Sequence, residues 1–198
     1  MNQEIEIEFK NLLTKQEYVL LCDKYSEVLS DKKIQTNFYF DDEQMSLKEH
    51  GSALRIREKS GKYVLTFKQP HKEGLLETHQ SLTGIEKENA VHSGSIPKGD
   101  VLNQIQALLN RNDIHFNYLG ELTTIRMEGE VEGGLLVLDQ SKYFDITDYE
   151  LEFECNEAEP GKQAFNTILA TCDIPIRPTP NKIRRFFEEK IKKDIHDK

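Results

Sequence analysis

Apolar and charged residues alternate along many short stretches of this chain, the period of β-strands that carry one apolar and one polar face. Near the N-terminus Ile5, Ile7 and Phe9 interleave with Glu4, Glu6, Glu8 and Lys10. Arg55, Arg57 and Lys59 oppose Leu54 and Ile56, and Lys62, Thr66 and Lys68 oppose Tyr63, Leu65 and Phe67. Arg126, Glu128 and Glu130 oppose Ile125, Met127 and Val131, while Glu150, Glu152 and Glu154 oppose Leu151 and Phe153. Ser60-Gly61, the stretch from Pro70 to Gly74, and Glu132-Gly133-Gly134 punctuate neighbouring runs as hairpin turns do. The pattern predicts strands over residues 4–10, 34–40, 53–59, 62–69, 75–82, 121–131, 135–141 and 148–155.

Helical spacing is confined to the segments between. Thr14 with Glu17 forms a capping box, and Tyr18, Leu21, Cys22, Tyr25 and Val28 recur behind it, predicting a helix to about residue 30. A short helix is expected over 42–49 with Gly51 as its stop, another from Asp100 to about Arg111, and a third from Pro160 to near Cys172. Residues 83–99 read as mixed, with no more than one helical turn. Pro175, Pro178 and Pro180 bar regular structure until a last helix from Asn181 to Ile195. With no repeat and no linker, these elements add up to one α+β domain over 1–198.

Composition narrows the partners. A formal net charge of −9 over 198 residues argues against a nucleic-acid binder. Cys22, Cys155 and Cys172 show neither metal spacing nor an even count, which fits a reducing, cytoplasmic setting. No leader-like or membrane-spanning apolar run is present, so no membrane association is expected.

The polar faces are the informative part. A solvated sheet face is the ordinary explanation for any one of them. Here, however, the faces are almost wholly charged and the signs segregate by strand, acids on some and bases on others. Like charges along one strand face repel unless water, cations or basic groups intervene. A closed barrel with its charged face inward and helices on its apolar face explains both features. Such an interior suits a polyanion bound together with a hard divalent cation.

Ordered motifs then carry a resemblance. Glu6-Ile7-Glu8-Phe9-Lys10 matches the E-x-E-x-K signature of the CYTH family, the triphosphate tunnel metalloenzymes, which include thiamine triphosphatases, inorganic triphosphatases and class IV adenylate cyclases. Asn37-Phe38-Tyr39-Phe40-Asp41, then Gly51 to Arg57, then Leu65-Thr66-Phe67-Lys68 resemble the family's Y-F-D, a-L-R-x-R and L-T-x-K segments. Glu77, Arg126, Asp139, Glu150-Leu151-Glu152 and Asn181-Lys182 match later elements in order. Glu4 and Glu154 extend the two acid rows by one residue, and His79 stands where relatives often carry another acid.

The resemblance implies an eight-stranded antiparallel barrel, or tunnel, with a charged interior and helices packed outside. It implies metal-dependent hydrolysis of a small-molecule triphosphate, inorganic triphosphate being favoured, by a monomer or homodimer. Glu6, Glu8, Glu150, Glu152 and Asp139 would hold Mg²⁺ or Mn²⁺, while Arg55, Arg57, Lys68, Arg126 and Lys182 would clamp the phosphates. Lys10, Lys68 and Tyr39 are the implied catalytic side chains, Tyr39 either pairing with Lys68 as in thiamine triphosphatases or standing as a tyrosine of the barrel wall. Phosphoryl transfer needs positioning and charge stabilisation rather than a protein nucleophile. An adenylate cyclase on the same scaffold and a non-catalytic polyphosphate or nucleotide binder are the competing expectations. Phosphate-binding glycine loops are absent from the sequence, and the six histidines, Cys155 and the basic last helix read as surface or structural features.

Overall fold

The structure is a computed structural model and describes residues 2–72 and 74–196. Among the described residues eight strands form a closed antiparallel barrel in the order β1-β5-β4-β3-β2-β6-β7-β8. The strands are β1 (Asn2–Leu13), β2 (Lys33–Asp41), β3 (Ala53–Lys59), β4 (Lys62–His71), β5 (Gly74–Leu82), β6 (Asn117–Val131), β7 (Gly134–Tyr143) and β8 (Ile146–Cys155). The helices are α1 (Lys15–Lys24), α2 (Ser46–Glu49), α3 (Gly84–Ser93), α4 (Asp100–Leu109), α5 (Ala158–Ala170) and α6 (Lys182–His196). The expected strands are therefore all present. β1 is longer than its alternation suggested because it is paired twice, Asn2–Glu6 with β5 and Ile7–Leu13 with β8.

Contacts group the chain into two compact units. The first comprises Met1–Glu6 and Gln35–Leu122, the second Ile7–Ile34 and Thr123–Lys198. In the first, Phe38, Phe40, Leu54, Ile56, Leu65 and Phe67 project from β2, β3 and β4 onto Ala90 of α3 and onto Val101 and Ile105 of α4. In the second, Leu136, Leu138, Leu151 and Phe153 meet Leu21 of α1 and Phe165, Ile168 and Leu169 of α5. These side chains are the apolar members of each alternating strand, so the helices cover the apolar face and the charged face lines the inside of the barrel.

Three departures from the sequence expectation have physical causes. The first helix ends at Lys24, and the chain turns over 25–28 before pairing Ser30 N–H with the Glu128 carbonyl at 2.9 Å. That turn presses on β6: a Cβ at Gly129 would meet the Val28 carbonyl oxygen at 2.3 Å, so glycine is required there. Residues 83–99, expected to hold at most one turn, contain the ten-residue helix α3 with a full capping box from Thr83 and Glu86. Its inner side lacks an apolar stripe: Ala90 is the buried residue, and the Lys87 ammonium lies 4.2 Å from the centre of the Phe38 ring. Over 42–49 only Ser46–Glu49 is helical, with the Asp42 carboxylate accepting from Ser46 N–H at 2.8 Å.

The proline-containing segment before α6 is irregular, as expected, but it is tied down. Asn11, which faces away from the charged side of β1, is completely buried and donates to the Pro175 carbonyl at 3.1 Å while accepting from Arg177 N–H at 2.7 Å. Arg177 in turn forks onto Glu17, with both nitrogen–oxygen distances 2.8 Å.

Candidate functional site

In the first unit, strand register builds charged rows. Tyr39 stands opposite Arg55, Arg55 opposite Thr66, and Thr66 opposite His79; Lys68 stands opposite Glu77, and Glu77 opposite Glu4. Opposed residues of antiparallel strands share a face, so these side chains and Glu6 lie together. The Lys68 ammonium is 2.5 Å from Glu6 Oε2 and is also ion-paired to Glu77. Arg55 Nη2 lies 3.8 Å from Glu77 Oε2, and its buried Nε lacks a hydrogen-bond partner. Arg57 Nε donates to Asn37 Oδ1 at 3.0 Å. Tyr39 is buried at the end of its row. Burial works to raise the Glu77 carboxyl, but Arg55 and Lys68 outweigh it and hold it below the ordinary carboxylate range.

His79 does not behave as the surface residue the sequence suggested. Its Nδ1 is 3.0 Å from Thr66 Oγ1, and its Nε2 is 3.0 Å from Glu4 Oε1 and 3.5 Å from Glu77 Oε2. One donor atom each from Glu4, Glu77 and His79 fall within 4.8 Å of one another, a set able to hold a metal ion. The signal was present in the sequence, since Glu77 and His79 alternate onto one face of β5. The pairing of β1 with β5 that brings Glu4 to them was not.

The second unit gathers its charges from β1, β6, β7, β8 and α6. Arg126 stands opposite Asp139, Asp139 opposite Glu150, and Lys10 opposite Glu152. Arg126 forks onto Asp139 at 2.8 and 2.7 Å and reaches Glu152 Oε2 at 2.6 Å. Lys10 pairs with Glu8 along its own strand at 2.5 Å. Lys182, the first residue of α6, places its ammonium 2.8 Å from Asp139, 3.0 Å from Glu150 and 2.5 Å from Glu152. Asp139, Glu150 and Glu152 are 0%, 1% and 6% exposed, which excludes the solvated-face explanation for this row.

Arg185 joins this group, although the basic last helix reads from sequence as a solvated face. It is buried one turn along α6, donates to Asp148 Oδ2 at 2.9 Å and to the Pro180 carbonyl at 2.6 Å, and is ion-paired to Glu150. Its spacing from Lys182 is the (i, i+3) spacing of one helix face, a signal that became meaningful only with the strand it meets.

The electrostatics of the second unit set burial against close pairing of opposite charges. Burial opposes ionisation of Glu152, yet Lys182, Arg126 and Lys10 hold it well below the usual range. Burial pushes the Glu150 carboxyl up and the neighbouring Glu152 adds to the rise, despite Lys182 and Arg185. Burial also works against the Lys182 ammonium, but Asp139, Glu150 and Glu152 raise it well above an ordinary lysine. Buried ion clusters are poor devices for stability, because desolvation consumes most of the Coulomb gain. Their concentration on one strand face therefore points to a ligand. Asp139, Glu150 and Glu152 offer the hard carboxylate oxygens that Mg²⁺ and Mn²⁺ accept, and they converge closely enough to surround one cation.

Residues 4–187 match the CYTH domain. The chain is 47% identical over 192 residues to YjbK of Bacillus subtilis (strain 168), named as a candidate triphosphatase, covering 97% of this chain and 99% of that protein. A crystal structure of a candidate adenylate cyclase from Bacillus halodurans superposes with a TM-score of 0.88 at 42% identity, covering 94% of this chain and 100% of that one. A candidate adenylyl cyclase from Hippeastrum, described as having a dominant triphosphatase activity, superposes with a TM-score of 0.81 at 27% identity over 93% of this chain and 96% of that one. No helix among the described residues is long and apolar enough to cross a membrane.

Proposed function

The chain belongs to the CYTH family, and on that premise we propose that it hydrolyses a small-molecule triphosphate with the help of Mg²⁺ or Mn²⁺, inorganic triphosphate being the favoured substrate. The observation that carries this reading is the convergence of the buried carboxylates Asp139, Glu150 and Glu152 on one point, where their oxygens already surround a cationic group. Asp139, Glu150, Glu152 and Glu8 would hold the cation in the second unit, and Glu6 offers the same chemistry in the first. A divalent cation bound to such oxygens neutralises phosphate charge and makes a bound water more acidic.

The basic side chains supply the rest. Arg55, with an unpaired buried Nε, and Arg57 present guanidinium forks suited to phosphate oxygens. Lys68, Arg126 and Lys182 add charge to stabilise phosphate oxygens as the terminal group departs. Lys10 holds Glu8 in place, and Tyr39, opposite Arg55, offers a hydroxyl to the phosphate chain. The reaction so read is in-line attack by water with release of orthophosphate, and it calls for no protein nucleophile.

The relatives' names support two activities, and the products separate them. Inorganic triphosphate, ATP and thiamine triphosphate should be assayed with Mg²⁺ and with Mn²⁺. Orthophosphate release, fastest from inorganic triphosphate and lost on chelation, is the expected result. Cyclic AMP with pyrophosphate from ATP would replace this reading by a cyclase, and tight binding without turnover would replace it by a binder.

A further inference from the structure

We infer that the Lys182 ammonium is a resident counter-cation of the buried acid cluster, which a divalent cation must displace to reach Glu150 and Glu152; the inference rests on the metal-binding reading above. The oxygens are already divided among named cations. Glu150 Oε2 is held by Arg185 and Glu152 Oε2 by Arg126 at 2.6 Å, while Asp139 accepts the Arg126 fork. Glu150 Oε1, Glu152 Oε1 and Asp139 Oδ2 converge on Lys182 Nζ at 3.0, 2.5 and 2.8 Å. An ammonium has three protons to donate, and here it has three carboxylate oxygens around it. That is also a ready corner of an oxygen coordination shell.

A metal ion and an ammonium cannot share these oxygens. Ligand oxygens sit about 2.0–2.1 Å from Mg²⁺, so a cation bound to Glu150 Oε1 and Glu152 Oε1 would lie where the ammonium now is. Any position close by would set two cations side by side in a poorly solvated site. Lys182 is also the side chain built to leave. It lies on a flexible four-carbon stem, immediately after an irregular segment with Pro178 and Pro180, whereas the Arg185 fork is fixed to Asp148 and the Pro180 carbonyl. The helix can therefore remain anchored through Arg185 while Lys182 swings away. Once displaced, the ammonium is available to a phosphate oxygen, so one side chain keeps the acid cluster neutral before loading and contributes charge to the substrate afterwards.

The test is metal binding without any phosphate compound present. Mn²⁺ titrations followed by the electron paramagnetic resonance signal of unbound Mn²⁺ should show Lys182→Met binding roughly tenfold tighter than the wild type, since a competing charge has gone. Lys182→Arg, which keeps the charge, should bind no tighter than the wild type. Equal or weaker binding by Lys182→Met would overturn the displacement while leaving the metal site intact; no Mn²⁺ binding by any variant would remove both. Should Lys182→Met fail to fold by far-ultraviolet circular dichroism, the wild type answers alone. Acetylation of its lysines, read by mass spectrometry, should label Lys182 severalfold faster with saturating Mn²⁺ than without, and unchanged labelling would overturn the inference.

Discussion

The two compact units use the same device, strands with one apolar and one charged face, but balance their charge differently. In the first, β1, β3, β4 and β5 nearly settle the account among themselves: Lys68 sits on Glu6 and Glu77, Arg55 leans on Glu77, and neutral Thr66 and Asn37 take up neighbouring places. In the second, Asp139 of β7 stands opposite the β8 row of Asp148, Glu150 and Glu152, and Arg126 and Lys10 are the cations that the strands bring to these acids. Lys182 and Arg185 are supplied from α6, outside the sheet. A sheet that neutralises itself can stay closed on its own terms. One that takes its cations from a helix can exchange them, as the proposed metal binding would require.

The contrast predicts its largest effect in turnover. Glu152→Gln should lower the rate of inorganic triphosphate hydrolysis by about 10³-fold, because the carboxylate charge proposed to hold the cation is lost. Glu77→Gln should cost about tenfold, since Lys68 keeps Glu6 as a partner. Steady-state kinetics on both variants, with circular dichroism to confirm folding, would break the comparison if the two losses were equal or reversed.

Much of this arrangement was legible in the residues. Alternation exposed the charged faces of β1, β3, β4, β6 and β8 directly, because a period of two needs no tertiary information. The Thr14–Glu17 box marked α1 correctly, and the structure shows both of its reciprocal bonds. The identical Thr83–Glu86 signature is not enough to predict α3, which buries Ala90 rather than an apolar stripe, so periodicity gives it no support. His79 and Arg185 were missed for a different reason. Each acquires meaning from a partner distant in sequence, Glu4 through the β1–β5 register and Glu150 through the docking of α6. Which residues share a strand face is a local property, whereas which faces meet is set by the fold.

The apolar faces, unlike the charged ones, should prove equivalent. Phe67 of β4 and Phe153 of β8 are both completely buried in the cores of their units. Replacing either with Ala removes a large side chain that its surroundings cannot refill, at a cost of about 3–5 kcal/mol. Urea unfolding midpoints with an unchanged slope would measure both. A cost well below this range at one site only would show that the likeness of the two units stops at the pattern of their strands.

The smallest effect concerns the segment that delivers α6. The Arg177 fork on Glu17 couples the irregular stretch before α6 to the capping box of α1, a tie that the Glu86 box of α3, acting through Thr83, does not share. The Arg177 hydrogen bonds are the main cause that holds the Glu17 carboxyl below its ordinary value of 4.5, against a smaller opposing effect of burial. A carboxyl whose folded value is depressed stabilises the fold in full above its unfolded value and loses that contribution as pH falls through the folded value. Arg177→Met should therefore destabilise by about 0.5–1 kcal/mol at pH 7, the range of a partly exposed pair. The difference from wild type should shrink toward zero as the pH is taken well below 4.5. Urea midpoints of the two proteins across that range decide the matter: a constant difference would mean that the Arg177 side chain acts through its bond to the Leu12 carbonyl, not through the charge on Glu17.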